Sequence, residues 1–425
     1  MSKHLLALVD VNSFYVSCER AFDPTLEGRP VLVLSNNDGC AVAMSAEAKE
    51  LGITVGAPWF KLAPNAQRHG LVARSSNYEL YGDMSHRFLQ VIGEHSHEVE
   101  KYSIDEAFAG YGGPLQGAGP WAERIRRDIA ERLSLPVGIG VGATKTLAKL
   151  ANLAAKRVPG MRGVCVWDGL DAEYRDWVMS RLPVQQIWGV GPRSAKKLAA
   201  HGVTTAAALR DADAQFVRRL LGVTMMRTVL ELRGQPCIQL EEEREFRDSL
   251  VFSRSFSTPV STREIMAQVM ASYAQRACTR LNSRSTEAKT LTAWAMTSQF
   301  NSAAEDSPSA TLSLPAPTND PVLLTRAAQA LLPRMTEGTR YTKAGITLTD
   351  LSPRGAQPAF DLFAEPQQDK GIGPLLQQVR EKSGTDAIGM GRGGMRTAAE
   401  WEMRREMMSP RYTTRWQEML EVHAR

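Results

Sequence analysis

Tyr102-Ser103-Ile104-Asp105-Glu106-Ala107 places two adjacent carboxylates in an otherwise strand-like stretch with apolar neighbours. Because successive side chains of a strand point to opposite faces, one acid would be buried unless a turn or bulge re-aims it. A buried carboxylate is costly unless a cation lies beside it. The stretch therefore indicates a strand with acids that could bind a cation.

A third acid ends a predicted buried strand nearer the N-terminus. Leu5-Leu6-Ala7-Leu8-Val9-Asp10-Val11 is apolar at nearly every position except Asp10, which is typical of a strand covered on both faces. If the two strands lie side by side, Asp10, Asp105 and Glu106 converge and offer the hard oxygen ligands that Mg²⁺ prefers in phosphoryl transfer. Each acid alone is more often a turn cap or part of a solvated edge, so the prediction depends on their convergence.

Strand and helix signals alternate along the first part of the chain. Residues 31–34 predict a strand, residues 43–52 predict a helix that stops at a glycine, and the alternation continues to about residue 167. The pattern is then helical over 171–234. A third region mixes strands with a long helix over 263–282, and a Ser/Pro/Ala-rich loop is expected over 302–321. An α/β or α+β first half followed by further units is predicted.

Composition and charge bound the function classes. The 425 residues are enough for about two to four folded units. The net charge of +5 is mild, but residues 181–227 hold eight basic and two acidic side chains, and residues 244–289 hold eight and four. Two successive basic segments suit a polyanion such as DNA, with solvated helix faces as an equally good explanation.

The sequence predicts a cytoplasmic protein that does not engage a membrane. Its first apolar run, residues 5–9, is too short for a signal peptide or a membrane span. The five cysteines are scattered and form no C-x-x-C pair, which fits a reducing compartment without a zinc site.

Two basic motifs could contact phosphates. Lys145, Lys149, Asn152 and Lys156 recur at helical spacing and would share one face, which could hold a triphosphate or a DNA strand unless the helix is an ordinary amphipathic one. The second motif, Ile187-Trp188-Gly189-Val190-Gly191 followed by Lys196 and Lys197, predicts a tight hairpin that opens a helix. Helix-hairpin-helix motifs that bind the DNA backbone have this form.

One apparent nucleotide-binding motif is rejected. Residues 138–143 match G-x-G-x-x-A, but no acid follows about 20 residues later, where a dinucleotide ribose would need one.

These motifs together resemble the Y-family translesion DNA polymerases, and within them the UmuC group, which contains the catalytic subunit of bacterial DNA polymerase V. The matching stretches span essentially the whole chain. They are Asp10-Val11-Asn12-Ser13-Phe14-Tyr15, Ser35-Asn36-Asn37-Asp38-Gly39-Cys40, Ser76-Asn77-Tyr78-Glu79-Leu80-Tyr81, the acid stretch quoted first, residues 144–152, Glu231-Leu232-Arg233-Gly234 and residues 409–415.

The resemblance implies an α+β multidomain, right-hand polymerase. The palm would comprise residues 1–30 and 76–168, the fingers 31–75, and the helical thumb with its helix-hairpin-helix 169–238. A little finger would follow over 244–352, and a C-terminal tail with a clamp-type peptide over 353–425. The implied activity is template-directed, error-prone DNA synthesis across damaged DNA, as part of SOS mutagenesis.

The resemblance also implies residue roles. Metal ligands for two Mg²⁺ ions would be Asp10, Asp105, Glu106 and the backbone carbonyl of Val11. Contacts to the incoming nucleotide would come from Phe14, from Tyr15 as the steric gate against a ribose 2′-OH, and from Lys49 and Lys156 at the triphosphate. Small residues that roof the template base would be Cys40, Val42 and Gly56. DNA-backbone contacts would come from Gly189, Gly191, Lys196 and Lys197.

The implied partners are primer–template DNA, dNTPs, a processed UmuD-like dimer, a RecA filament and a sliding clamp. Phe360, Leu362 and Phe363 correspond to the apolar anchors of the group's clamp peptide, although the glutamine that leads this peptide is absent.

Two other functions stay open at this point. A two-metal nuclease could use the same three acids, but it would need neither Tyr15 nor the lysines Lys49 and Lys156. A catalytically silent, polymerase-like DNA-binding scaffold would have no need of the acids.

Overall fold

The computed structural model describes residues 4–241, 249–298, 306–355, 372–383, 388–393 and 399–420. These residues mix helices with antiparallel and parallel sheet and fall into two compact units. Of the described residues, 4–35, 39–241 and 407–420 form the first unit, and the others, including Asn36–Asp38, form the second.

The core of the first unit is a five-stranded sheet in the order β5-β6-β1-β7-β8. Its strands are β1 (Leu5–Val11), β5 (Val99–Lys101), β6 (Glu106–Tyr111), β7 (Val137–Gly142) and β8 (Val164–Val166). β1 is buried at every position except Asp10, as predicted for a strand covered on both faces. The helices that cover this sheet are α1 (Phe14–Phe22), α4 (Tyr78–Gly93), α5 (Leu115–Leu133) and α6 (Lys145–Arg157).

A smaller three-stranded sheet has the order β3-β2-β4. Its elements are β2 (Val31–Leu34), β3 (Ala41–Met44), α2 (Ala46–Glu50), α3 (Trp59–Ala66) and β4 (Val72–Ser75). The helix predicted over 43–52 is therefore shorter than expected. Residues 43 and 44 pair with β2 instead, and the Ser45 hydroxyl accepts a hydrogen bond from Ala48 N to begin the helix.

The glycines of β7 allow α6 to pack closely on the sheet. A Cβ at Gly140 would lie 2.0 Å from the backbone nitrogen of Asn152, and one at Gly142 would lie 2.9 Å from the Cβ of Leu147. Residues 138–143 thus serve helix–sheet packing, in agreement with the rejection of a nucleotide-binding turn.

The part of the first unit that was predicted to be helical, residues 171–234, is mainly helical. Its helices are α7 (Ala172–Arg181), α8 (Pro192–Ala199), α9 (Ala206–Asp211), α10 (Ala214–Leu221) and α11 (Val223–Leu232). Their buried side chains form one apolar cluster together with those of α6.

The second unit has a four-stranded antiparallel sheet in the order β11-β10-β12-β9, covered by a long helix. Its elements are β9 (Ser249–Val260), α12 (Arg263–Asn282), β10 (Thr286–Met296), β11 (Ser309–Thr318), α13 (Pro321–Ala328), β12 (Tyr341–Pro353) and α14 (Ile372–Ser383). The predicted helix over 263–282 is confirmed. The loop expected over 302–321 is wrong for residues 309–318, because an edge strand tolerates its prolines.

Among the described residues, no helix combines the length and apolar character that crossing a bilayer requires.

Candidate active site

The acidic residues lie where two paired strands end. β1 and β6 are antiparallel neighbours, and Asp10 is directly opposite Glu106 in their register. Val11 N donates to the carbonyl of Asp105 at 2.9 Å, which holds the third acid beside the pair. The two strands therefore lie side by side, which is the condition for the three acids to converge.

A tight turn before β6 re-aims the adjacent acids. The backbone nitrogens of Tyr102 and Ser103 both donate to the carbonyl of Glu106, at 3.1 and 3.0 Å. The Ser103 hydroxyl donates to Asp105 Oδ1 at 2.6 Å and accepts from Glu106 N at 3.0 Å. The strand-like stretch is thus a turn followed by a strand that begins at Glu106, so neither carboxylate is forced into the core.

Two lysines of α6 pair with these acids. Lys156 Nζ lies 2.7 Å from Asp10 Oδ1, and Lys149 Nζ lies 3.0 Å from Glu106 Oε1. Burial raises the pKa of Asp10, Lys156 opposes that shift, and the nearby negative charges of Glu106 and Asp105 reinforce it. This edge of the sheet therefore favours bound cations.

The donor set suits a divalent metal ion. In the described part of the chain, no three Asp, Glu, His or Cys side chains are arranged as a ready metal-binding cluster. Two of the three acids are paired with lysine ammonium groups instead, and these groups neutralise part of the charge that a hard cation would balance. The residues therefore fit Mg²⁺ by chemistry, with side-chain rearrangement on binding.

The helix face predicted to present phosphate-binding groups is divided in function. Lys145 is buried, 2% exposed, and pairs with Glu100. Asn152 is also buried and donates to the carbonyl of Gly138 at 2.7 Å. These two residues hold the helix to the sheet, whereas Lys149 and Lys156 contact the acids.

Lys149 also contacts aromatic rings that the sequence analysis did not assign to the site. Its Nζ lies 4.3 Å from the ring centre of Tyr102 and 5.5 Å from that of Trp188. Trp188 Nε1 donates to the Tyr102 hydroxyl at 3.0 Å. The predicted hairpin is thereby joined to the acidic turn, a long-range contact that spacing along the chain cannot reveal.

An aromatic cluster follows the sharp turn between β1 and α1. Ser13, which precedes α1, has a left-handed backbone with φ of 48°. Phe14 is buried, and the half-buried Tyr15 stacks on Tyr81 with ring centres 4.4 Å apart and planes 15° apart. Burial raises the pKa of Tyr15, and Tyr78 and Asp105 add to the shift. Tyr15 therefore lies within range of electrostatic interaction with Asp105.

The predicted template-base residues lie together beside the three-stranded sheet. The backbones of Cys40 and Pro58 form an isolated β-bridge. Gly56 N donates at 2.8 Å to the carbonyl of Ala41, which lies between Cys40 and Val42 in the chain. Gly56 has φ of +86°, which favours glycine. Lys49 is exposed on α2.

The predicted DNA-backbone motif forms a turn and a helix. Gly189 has φ of +86°, and α8 begins one residue after Gly191. Lys196 and Lys197 are exposed on α8. The predicted clamp anchors Phe360, Leu362 and Phe363 lie outside the described residues.

Family models match most of the chain. Residues 9–153 match the impB/mucB/samB family, and residues 247–359 match the C-terminal domain of that family. Residues 375–422 match a domain of unknown function.

Curated relatives extend over nearly the whole chain. UmuC of Salmonella typhimurium is 41% identical over 98% of this chain and 100% of its own. MucB of Escherichia coli is 38% identical, with 97% and 98% covered. DNA polymerase IV 1 of Bacillus subtilis is 29% identical, with 90% and 91% covered.

Solved structures share the fold. A chimeric Y-family DNA polymerase built from Dbh and Dpo4 aligns with a TM-score of 0.65 and 21% identity, over 82% of this chain and 100% of the chimera. An insertion ternary complex of Dbh DNA polymerase aligns with a TM-score of 0.55 and 20% identity, over the same shares of the two chains.

Proposed function

The chain belongs to the impB/mucB/samB family, a group of Y-family DNA polymerases, and on that premise we propose how its residues divide the work of nucleotidyl transfer. The activity is template-directed, error-prone DNA synthesis across damaged DNA, and the chain is a DNA polymerase. The observation that carries the proposal is the register of Asp10 opposite Glu106, with Asp105 held beside them.

The acids would hold the metal ions. Asp10, Asp105 and Glu106, with the carbonyl of Val11, would bind two Mg²⁺, which supply charge neutralisation and activation of the attacking oxygen when bound. The primer 3′-OH gives its proton to solvent and attacks the α-phosphate of the dNTP. A new bond forms between O3′ and the α-phosphorus, the bond from the α-phosphorus to the bridging oxygen breaks, and pyrophosphate leaves. Lys156 would exchange its carboxylate partner for the triphosphate, and Lys49 would add a second positive charge there.

The aromatic cluster would choose the sugar. Tyr15 follows the acid-bearing strand by four residues and is fixed by its stack on Tyr81. A ribose 2′-OH would collide with this ring. Phe14, buried beside Tyr15, would support the same surface, while Cys40, Val42 and Gly56 would leave room above the template base.

The hairpin and α8 would hold the DNA backbone. Gly189, with φ of +86°, and Gly191 lead the chain into α8, and the partial positive charge at the start of that helix would favour a phosphate. Lys196 and Lys197 are exposed on the same helix and add charge that does not depend on base sequence.

Primer–template DNA and dNTPs are the substrates that this mechanism requires. We propose that the protein works in the cytoplasm, where bacterial DNA is found, with a processed UmuD-like dimer and a RecA filament, as the resemblance implies.

Phe360, Leu362 and Phe363 would contact a sliding clamp weakly, because the leading glutamine is absent. Alanine at these three positions should lower clamp-stimulated synthesis and leave clamp-free extension unchanged.

Primer extension by the purified full chain tests the function. With Mg²⁺, dNTPs and a primed template, with and without partner proteins, we expect primers to grow and no strand to be cut. Cutting without extension would favour a nuclease, and DNA binding without either reaction would favour a scaffold.

A further inference from the structure

Residues 407–420, here called the C-terminal strap, pack within the same compact unit as the acids. Ser75 N donates to the carbonyl of Met407 at 3.1 Å, and Met407 N donates to the Ser75 hydroxyl at 3.0 Å. Further along, the Tyr412 ring stacks on Phe22, with ring centres 4.9 Å apart. The strap therefore docks through paired backbone and ring contacts, although its family model carries no function.

A buried asparagine joins the strap to α4. Asn77 is fully buried, and its Nδ2 donates to the carbonyl of Ser409 at 3.1 Å, to its hydroxyl at 2.9 Å and to the carbonyl of Pro410 at 3.1 Å. The Asn77 side-chain oxygen accepts from Leu80 N at 3.3 Å and so caps α4. The strap is thus bonded at the point where α4 begins.

The strap also completes the environment of a buried acid. Glu19 is 1% exposed, and its Oε1 accepts from the Ser409 hydroxyl at 3.0 Å and from the Tyr81 hydroxyl at 2.6 Å. Burial raises the pKa of Glu19, and the two hydrogen bonds oppose this shift. A buried carboxylate depends strongly on its few donors, and the strap supplies one of them.

Tyr81 connects this acid to the nucleotide side. Its hydroxyl is held by Glu19, while its fully buried ring is stacked under Tyr15 at 4.4 Å. Glu19 holds the hydroxyl of Tyr81, and Tyr15 packs on the face of the same ring. Any tilt of Tyr81 would therefore move the surface on which Tyr15 rests.

We propose that the strap positions Tyr15 through Ser409, Glu19 and Tyr81, and that it thereby sets how strictly the enzyme rejects ribonucleotides. The inference rests on the proposed function of Tyr15 as the sugar-selecting ring. Ser409, Glu19 and Tyr81 are positioning residues, since they act through Tyr15. Selection by collision depends on ring placement, and a misplacement of about 1 Å is enough to change a rate by orders of magnitude.

The experiment measures kcat/KM for insertion of a dNTP and of the matching rNTP opposite an undamaged template base. Tyr15→Ala is the reference for full loss of discrimination. Tyr81→Leu removes the stacking surface, and Ser409→Ala and Glu19→Ala remove parts of its anchor. We expect the dNTP preference to fall about tenfold in Tyr81→Leu and several-fold in the other two.

Two variants serve as controls. Ser85→Ala removes a hydroxyl that is buried on α4, as that of Ser409 is buried in the strap, but that has no hydrogen-bond partner among the described residues. The dNTP preference should therefore not change. Glu19→Gln keeps a side-chain oxygen that can accept from Tyr81, so it should lie nearer to the wild type than Glu19→Ala. Thermal melting of each variant separates loss of fold from loss of selectivity.

The outcomes are distinguishable. If Tyr15→Ala keeps the wild-type preference, the proposed function of Tyr15 fails. If Tyr15→Ala relaxes the preference while Ser409→Ala does not, the strap is merely a structural anchor and the inference is overturned, whatever the result for Tyr81→Leu. Should Tyr81→Leu fail to fold, Ser409→Ala and Tyr81→Phe test the proposal in its place. A lowered Tm with an unchanged dNTP preference in both of these variants would contradict the proposal.

Discussion

Lys156 Nζ lies 2.7 Å from Oδ1 of Asp10, so a residue proposed to bind the triphosphate is paired with a residue proposed to bind metal. Lys149 and Glu106 repeat this arrangement on the neighbouring strand at 3.0 Å. Two of the three carboxylates are therefore neutralised before substrate arrives, while Asp105 accepts from the Ser103 hydroxyl. Binding of nucleotide and metal would exchange the lysine partners of Asp10 and Glu106 for metal ions.

Lys156→Met should weaken nucleotide use. The variant keeps the length of the side chain and removes the charge, so kcat/KM for a dNTP should fall about 10- to 100-fold, or roughly 1.4–2.7 kcal/mol. Single-nucleotide insertion kinetics measure the effect. Lys101→Met, at an exposed position of β5, is the matched control and should behave as the wild type. Equal losses in both variants would remove Lys156 from the triphosphate site.

Tyr15→Ala should admit ribonucleotides. Removing the ring relieves a steric clash, and the rNTP-to-dNTP ratio of kcat/KM should rise by at least about tenfold, or roughly 1.4 kcal/mol. The control is Tyr174→Ala, which removes a ring that stacks on Trp177 in the helical part of the first unit. An unchanged ratio in Tyr15→Ala would place sugar selection elsewhere.

The sequence predicted the strands that carry the acids because continuous apolar runs and isolated carboxylates are local signals. It also predicted the bounds of α12, residues 263–282, and the Thr262 hydroxyl accepts a hydrogen bond from Ile265 N where this helix begins. It mistook residues 309–318 for a loop, because serine, threonine and proline describe an exposed edge strand as well as they describe a loop.

Contacts between distant residues were beyond sequence reasoning. Lys149 with Trp188 and Glu19 with Ser409 pair residues far apart in the chain, and no periodicity marks either pair. Lys145 shares its helix face with Lys149, yet Lys145 forms a buried ion pair with Glu100 instead of contacting the acids of the site. A shared face predicts proximity, whereas the partner of each side chain is decided by tertiary packing.

Gly140→Ala should separate α6 from the sheet. The new Cβ would lie 2.0 Å from Asn152 N and 2.3 Å from the carbonyl oxygen of Ala148, both backbone atoms that cannot move independently of the helix. We expect a loss of about 3 kcal/mol in the free energy of unfolding, and lower activity because Lys149 and Lys156 ride on α6.

Gly82→Ala is the matched control for that change. A Cβ at Gly82 meets nothing within 4 Å, and the residue lies inside α4, so alanine should be neutral or stabilise by about 0.5–1 kcal/mol. Denaturant unfolding of both variants checks the pair. Equal stability of the two would show that helix and sheet tolerate a wider spacing.

Glu19 should make stability depend on pH. Its pKa in the folded protein is raised by burial, with Tyr81, Ser409 and Arg74 opposing the shift and Asp23 reinforcing it. As pH rises from below the ordinary glutamate value of 4.5 through the folded pKa, the unfolded state loses its proton first, so the fold loses stability. The stability of Glu19→Gln relative to the wild type, measured by denaturant unfolding, should therefore increase as pH rises across this window. A constant difference between the two proteins would contradict the shift.

The Asp105→Asn variant, with primer extension and DNA binding measured on the same preparation, tests whether the three acids carry nucleotidyl transfer. Asparagine can still accept from the Ser103 hydroxyl, and the backbone bond from Val11 is untouched, so the turn should persist. We predict that extension falls by about 10³-fold or more while the Kd for primed DNA stays within about threefold, because the proposed DNA contacts lie on α8. Asp83→Asn, at a surface residue paired with Arg87, should retain both properties. Wild-type extension by Asp105→Asn would contradict the assignment of the acids.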